Sequence, residues 1–205
     1  FSTKQGLVKR TPIDEFNNIR KSGKISIILK DGDELISVRK TTGNDEVVIG
    51  ASNGRMVRFK ESEIRSMGRG TSGVKGIDLS DNSIVVSTEI INPGEEILIV
   101  TENGYGKKTT IDEYRLTHRA SKGVKALNIT AKNGSMVTLK YVDPLNVEKL
   151  DIMIITDSGI IMRMPLNQIA TLKRATQGNR LINLKENQKV ATIAIVEKEE
   201  KIEIE

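Results

Sequence analysis

The sequence predicts an all-β protein built from four copies of one unit of roughly 50 residues, arranged like a propeller with about four four-stranded blades. Three observations predict it. Turn glycines recur at Gly6, Gly54, Gly104 and Gly159, spaced 48, 50 and 55 residues apart. A second glycine follows in each unit, at Gly23, Gly73, Gly123 and Gly178, after 17 residues in the first unit and 19 in the others. Short runs rich in Val, Ile and Leu flank these glycines, and no long amphipathic stretch suggests the helices of an alternating α/β fold.

The units run over about 1–44, 45–93, 94–146 and 147–196, followed by an acidic tail at 197–205. The first unit looks truncated, because its opening strand precedes Lys4 and only Phe1–Thr3 stand there. In the second unit strands are expected over Glu46–Ala51, Arg55–Phe59, Lys75–Leu79 and Ile84–Thr88. The third offers Glu96–Thr101, Tyr105–Thr109, Lys125–Thr130 and Ser135–Lys140. The fourth offers Asp151–Thr156, Ile160–Met164, Arg180–Leu184 and Val190–Val196. Asn53-Gly54, Asn103-Gly104 and Ser158-Gly159 mark tight hairpins, since Asn and Gly both tolerate positive φ. The longer connection between second and third strands, as in Lys60–Val74, has room for one helical turn near Glu61–Arg65.

Core positions keep the same phase. Ten residues after the first glycine come Phe16, Ile64, Tyr114 and Ile169. Four after the second come Ile27, Ile77, Leu127 and Ile182, and six after it Leu29, Leu79, Ile129 and Leu184. This is strand alternation with one face toward a core.

The chain has 205 residues and a formal charge of +5. Val196–Glu205 hold five Glu and two Lys, a net of −3, so the rest carries +8. A moderately basic body is compatible with a polyanionic partner. With six aromatic residues and no Trp, a base-stacking platform for single strands is disfavoured, and contact with a duplex backbone is the better expectation. No apolar run approaches the roughly 18 residues of a membrane span, and no secretory leader is visible, so a cytoplasmic protein without membrane contact is expected. Phe1 in place of an initiator Met implies polypeptide upstream.

The cations repeat with the glycines. Four residues after the first glycine stand Arg10, Arg58, Lys108 and Arg163, joined by Lys9 and Lys107. Fifteen after it stand Lys21, Arg69, Arg119 and Arg174. Two after the second glycine stand Lys75, Lys125 and Arg180, and Arg20, Lys24 and Lys122 lie nearby. If rotation relates the units, equivalent cations align as one curved stripe that a duplex can follow. Little else suggests chemistry. There is no Cys, the single His118 sits in a polar loop, and no phosphate-binding GxxxxGK[ST] loop occurs. Tyr114 shares a core phase, and Tyr105 and Tyr141 lack an acid–metal cluster. The carboxylates near Asp31, Asp33, Glu34, Asp45 and Glu46 fit turn capping. No catalytic site, metal or bound cofactor is expected.

Several stretches carry a resemblance. They are Gly6-Leu7-Val8-Lys9-Arg10-Thr11, Ile64-Arg65-Ser66-Met67-Gly68-Arg69 with Gly73-Val74-Lys75-Gly76-Ile77, Thr101-Glu102-Asn103-Gly104-Tyr105-Gly106-Lys107-Lys108-Thr109, Ala175-Thr176-Gln177-Gly178 and Lys189-Val190-Ala191-Thr192-Ile193-Ala194. From Thr3 to about Glu200 the chain resembles the C-terminal domain of the bacterial DNA gyrase A subunit. The nearest paralogue is the A subunit of topoisomerase IV. The resemblance implies a β-pinwheel, in which a strand of each unit joins the neighbouring blade. It implies non-sequence-specific binding and wrapping of duplex DNA in support of ATP-dependent negative supercoiling. The partners would be a B subunit, in a heterotetramer on the bacterial chromosome, together with the remainder of the A subunit. ATP and Mg would be used elsewhere in that assembly. The family's Gln-Arg-Arg-Gly-Gly-Lys-Gly box is absent. Its nearest echo is Thr117-His118-Arg119-Ala120-Ser121-Lys122-Gly123, which keeps three of seven positions. The repeat by itself fits a propeller-like protein-interaction scaffold equally well; only the cations favour DNA.

Overall fold

The structure, a computed structural model, describes residues 1–80 and 82–199. The end of the acidic tail, residues 200–205, lies outside the described residues. The first unit contributes β1 (Ser2–Thr3), β2 (Leu7–Val8) and β3 (Leu35–Ser37). The second contributes β4 (Glu46–Ala51), β5 (Arg55–Lys60), β6 (Val74–Lys75) and β7 (Val85–Ile91). The third contributes β8 (Glu96–Thr101), β9 (Tyr105–Thr110), β10 (Val124–Lys125) and β11 (Met136–Val142), and the fourth β12 (Leu150–Thr156), β13 (Ile161–Pro165), β14 (Asn179–Arg180) and β15 (Val190–Glu197).

The sheets do not coincide with the sequence units. Their orders are β3-β1-β2-β6, β10-β5-β4-β7, β11-β8-β9-β14 and β13-β12-β15. Each third strand leaves its own unit and pairs antiparallel with the second strand of the preceding one. Val74 stands opposite Val8, Val124 opposite Met56, and Asn179 opposite Gly106. These exchanged strands are two residues long where the alternation predicts five or six. The ladder ends early because the backbone N–H groups beyond it turn to a hairpin carbonyl instead. Gly76 N–H donates to Gly6 O, Ala126 N–H to Gly54 O and Leu181 N–H to Gly104 O, all at 2.8 Å.

The first strands β4 and β8 are buried on both faces because blades stack face to face, whereas Met153 and Ile155 of β12 are half-buried. In β4, Val47 and Ile49 pack toward the first blade with Val8 and Ile77, while Val48 packs toward the third with Ile97 and Ile99. In β8, Leu98 and Val100 pack toward the fourth blade with Ile152 and Ile154. The near-continuous apolar runs of these strands follow from that double burial. Ile64, Tyr114 and Ile169 plug the core after a 3₁₀ turn in each unit.

The hairpins differ in detail from the expected turns. Gly54 N–H donates to Ala51 O at 2.9 Å and Gly104 N–H to Thr101 O at 3.0 Å. The glycine alone takes positive φ, while Asn53 and Asn103 do not. This is the longer hairpin loop that closes on a left-handed residue, rather than the two-residue turn that needs positive φ twice.

The exchange leaves its two ends unpaired among the described residues. Residues 24–30 form no strand; Ile27 is half-buried where Ile77 and Leu127 are buried, and Leu29 is exposed where Leu79 and Ile129 are half-buried. At the far end, the outer edge of β13 has no strand beside it and Ile161 is exposed. The glycines record the same difference. A Cβ on Gly123, at φ +68°, would lie 2.4 Å from Met56 O, and one on Gly73 2.4 Å from Val8 O, whereas Gly23 and Gly159 have nothing within 4 Å. No helix among the described residues is long and apolar enough to cross a membrane.

Gly23→Ala should therefore cost only the left-handed backbone penalty, about 1–2 kcal/mol. Gly123→Ala adds overpacking of about 1–3 kcal/mol. Denaturant unfolding of the two variants checks the order; equal losses would show that the crossing glycine is not sterically required.

Candidate nucleic-acid interface

The predicted cations separate into two groups. Arg10, Arg58, Lys108 and Arg163, expected on one outer stripe, turn toward carboxylates. Arg58 Nε lies 2.6 Å from Glu46, Lys108 Nζ 3.2 Å from Glu96, Arg163 Nε 2.8 Å from Asp151, and Arg10 Nη1 3.1 Å from Glu61. Arg58 also donates from Nη1 to Ile111 O at 3.0 Å and Tyr114 O at 2.8 Å, which ties the second blade to the third. Arg58 and Lys108 are 8% and 6% exposed and Arg10 is partly covered, whereas Arg163 is exposed on the edge strand β13 and pairs also with Glu199 at 2.6 Å. A cation on a strand packed between blades is stable only with its charge compensated. The pairing had a sequence signature that charge counting missed. Glu46, Glu96 and Asp151 each stand eight residues before the first glycine of their unit, in phase with the cation four residues after it. Cross-strand neighbours of opposite charge at fixed phase signal an ion pair.

Lys9 and Lys107 are deeper still, at 2% and 0% exposure. Lys9 Nζ donates to Ser26 O at 2.6 Å and to Arg69 O; Lys107 Nζ donates to Lys173 O at 2.7 Å and Arg174 O at 2.6 Å. Each amine thus holds the backbone of a loop belonging to the next unit. Burial pushes Lys107 down to about 8, with Arg174 acting in the same sense and Glu113 opposing. Burial likewise lowers Lys9, with Arg69 adding to the effect and Glu15 opposing it.

The loop cations behave differently. Arg69, Arg119 and Arg174 each reach back one unit to the backbone two residues beyond its second glycine. Arg69 Nη1 donates to Ile25 O at 3.0 Å, Arg119 Nη1 to Lys75 O at 3.0 Å and Arg174 Nη1 to Lys125 O at 3.1 Å. These arginines stay partly exposed. Backbone bonds join the same segments: Ala120 N–H to Gly76 O at 2.7 Å, Asp78 N–H to Ser121 O at 2.9 Å and Asn128 N–H to Thr176 O at 3.0 Å. Cation-bearing segments of successive units therefore adjoin in order: that of Lys24 with Arg69, then that of Lys75 with Arg119 and Lys122, then that of Lys125 with Arg174.

Arg20, Lys21, Lys75, Lys122, Lys125 and Arg180 are exposed, and Lys24 is half-buried against Glu15 O and Asn17 O. Lys75 is partly neutralised by Asp78 at 2.9 Å, a contact that holds the Asp78 carboxyl below its usual range. Arg55 stands outside the repeating cation phase, so periodicity does not reveal it. It fastens the same loop by donating to Lys122 O at 2.9 Å and Gly123 O at 3.0 Å. His118 is 93% exposed beside Glu63. Among the described residues, no group of three or more His, Asp or Glu could hold a metal.

Comparison with known proteins adds to this geometry. The family model described as "DNA gyrase C-terminal domain, beta-propeller" matches residues 1–42, 45–92, 95–143 and 150–197. The DNA gyrase A subunit of Halalkalibacterium halodurans is 60% identical over 200 residues, 98% of this chain and 24% of that protein. Its counterpart in Ureaplasma parvum is 46% identical over 195 residues, 95% of this chain and 23% of that one. The chain thus spans about a quarter of these relatives' length. Among solved structures, the C-terminal domain of a DNA topoisomerase IV superposes with TM-score 0.88 at 28% identity, over 96% of this chain and 61% of that one. A DNA gyrase A C-terminal domain superposes with TM-score 0.81 at 24% identity, over 94% of this chain and 63% of that one, a likeness of fold.

Two outcomes are expected from the buried cations. Arg58→Ala leaves Glu46 uncompensated and should cost about 3–5 kcal/mol in denaturant unfolding; a loss within about 0.5 kcal/mol, as at an ordinary surface site, would remove the clamp. Lys107 is held below its unfolded value of about 10.4, so folding expels a proton between about pH 8 and that value. The unfolded chain then binds more protons, and stability gains with rising pH across this window. Lys107→Met should lose that gain relative to the parent chain, and the Lys107 amine followed by NMR should titrate near 8.

Proposed function

The chain belongs to the DNA gyrase C-terminal domain family, and from that premise we propose that it binds and bends duplex DNA along its outer edge with little regard to sequence. The observation that carries this reading is the unbroken order of loop cations across successive units. Arg20, Lys21, Lys24, Arg69, Lys75, Arg119, Lys122, Lys125, Arg174 and Arg180 are assigned to the DNA-facing edge. Lys9, Arg10, Arg58, Lys107 and Lys108 are left out of it, since their charge is used between the blades, and so is Arg163, whose charge is paired with Asp151 and Glu199.

The chemistry suits a duplex backbone. A B-form duplex presents a phosphate about every 1.7 Å of axis, and each neutralised phosphate releases counterions. Among the described residues no recognition helix accompanies the cations, so the contacts position the duplex without reading it. Bending 20–30 base pairs costs about 1–6 kcal/mol, which contacts from several units together can offset. Arginines held at about 3 Å by neighbouring backbone carbonyls are already oriented, so less side-chain entropy is lost on contact.

In the longer protein, this edge serves ATP-dependent negative supercoiling by an assembly of A and B subunits in the bacterial cytoplasm, with ATP and Mg used by other domains. Identity of 46–60% over nearly the whole chain to gyrase A subunits supports gyrase over its paralogue.

Lys122→Ala and Lys125→Ala should each weaken duplex binding to a similar degree for unrelated sequences. Each should reduce the slope of log K against log salt by about 1. Fluorescence anisotropy across a salt series measures both. An unchanged slope in both variants, with tight capture of a protein partner instead, would point to an interaction scaffold.

A further inference from the structure

A second cationic feature lies at the junction of the third and fourth units, beside the Asn103-Gly104 hairpin. It is a polar cavity of about 430 Å³ with Tyr105 in its wall. Four cations line it, Lys132, Arg180, Lys185 and Lys189, and no carboxylate does. Only one of the four has a charged partner: Lys189 Nζ lies 3.2 Å from Glu102, which sits behind the wall and also accepts Ser135 N–H. Among the described residues, no carboxylate reaches ion-pair distance of Lys132, Arg180 or Lys185.

Arg180 is held in place entirely by neutral groups. Its Nη2 and Nε donate to Tyr105 Oη at 2.9 and 3.2 Å, and its Nη1 donates to Asn183 Oδ1 at 3.2 Å. A guanidinium has five N–H donors, so donors remain for a ligand. Lys132 Nζ stands 5.5 Å from the centroid of the same Tyr105 ring. The tyrosine thus gathers two full positive charges without neutralising either.

This junction differs from its equivalents. The residue after the first glycine is Leu7, Arg55 and Ile160 in the other units, and only here is it tyrosine. Three residues beyond the exchanged-strand cation, Lys75 has Asp78, whereas Lys125 and Arg180 have Asn128 and Asn183. Where the second unit compensates its cation, the fourth leaves it open and fixed.

We propose that the Tyr105 pocket is a phosphate-binding site, with Arg180 and Lys132 as the principal contacts and Lys185 closing over the ligand. A fixed guanidinium with spare N–H groups matches the fork of a phosphate better than a mobile lysine alone. The phosphate can come from a duplex backbone or from a free polyphosphate. The site shares Arg180 with the proposed outer edge, but Tyr105, Lys132 and Lys185 belong to the pocket alone, so pyrophosphate binding there does not need the edge to bind DNA.

The test uses inorganic pyrophosphate as probe, titrated into the full chain while the Arg180 Nε–H and Tyr105 signals are followed by NMR. Saturable shifts at millimolar probe are expected. A Lys132→Ala/Lys185→Ala variant should weaken them by about tenfold or more, the loss expected for charge-assisted contacts. An unchanged backbone amide spectrum controls for folding. A duplex arm separates the sources: weaker duplex binding in the variant assigns the pocket to DNA phosphate, and unchanged duplex binding assigns it to a free polyphosphate. Absence of saturable shifts, or equal shifts in parent and variant, would overturn the proposal. Lys122→Ala, outside the pocket, reports separately on the outer edge.

Discussion

The architecture depends on one constraint: no unit can satisfy its own third strand. Val74, Val124 and Asn179 find ladder partners only on the preceding unit, and the N–H groups that follow turn to that unit's hairpin carbonyl. The interface is head-to-tail, so the same contacts repeat at each junction and leave complementary surfaces at the two ends. Glycine is needed at the crossing because the chain passes so near a backbone carbonyl that a Cβ on Gly73 or Gly123 would overlap it. The repeat spacing legible in the sequence is the imprint of that near-contact.

Strand exchange also decides what each cation does. Residues on second strands lie between stacked blades, where a full charge is stable only with a carboxylate or several carbonyls around it. Arg58 and Lys108 meet that demand with acids from the same periodic pattern. Lys107 meets it with two carbonyl oxygens and still titrates low, since carbonyl dipoles compensate a buried ammonium incompletely. Loop cations come afterward along the chain, at the edge, where water covers part of each charge. The two groups are connected. Lys9 and Lys107 grip the backbone at Arg69 and Arg174, so the interior charges set where the exterior ones stand.

The Tyr105 pocket arises from the same repeat by local departure. A tyrosine replaces an aliphatic or cationic residue, and the exchanged-strand cation, balanced by Asp78 at the first junction, is here held by Asn183 and left positive. Repeat proteins tolerate such changes because each unit contacts only its neighbours, so one junction can be altered without disturbing the others.

The all-β class, the four units, the hairpin positions and the core plugs Ile64, Tyr114 and Ile169 were all legible in the order of the amino acids. Glycine spacing and apolar alternation are local quantities that survive in a one-dimensional reading. The repeating phase of the cations was equally plain, and for Arg69, Arg119 and Arg174 that phase matches one repeated contact with the backbone of the preceding unit. Three-dimensional packing was needed to turn Arg58 and Lys108 inward, to pair Arg10 and Arg163 with carboxylates, to shorten the third strands to two residues, and to leave Ile27 only half-buried while Ile77 and Leu127 are buried. Those outcomes depend on which neighbouring blade covers a given strand face. Periodicity fixes the alternation of faces along a strand, whereas the identity of the surface each face meets is set by packing between units.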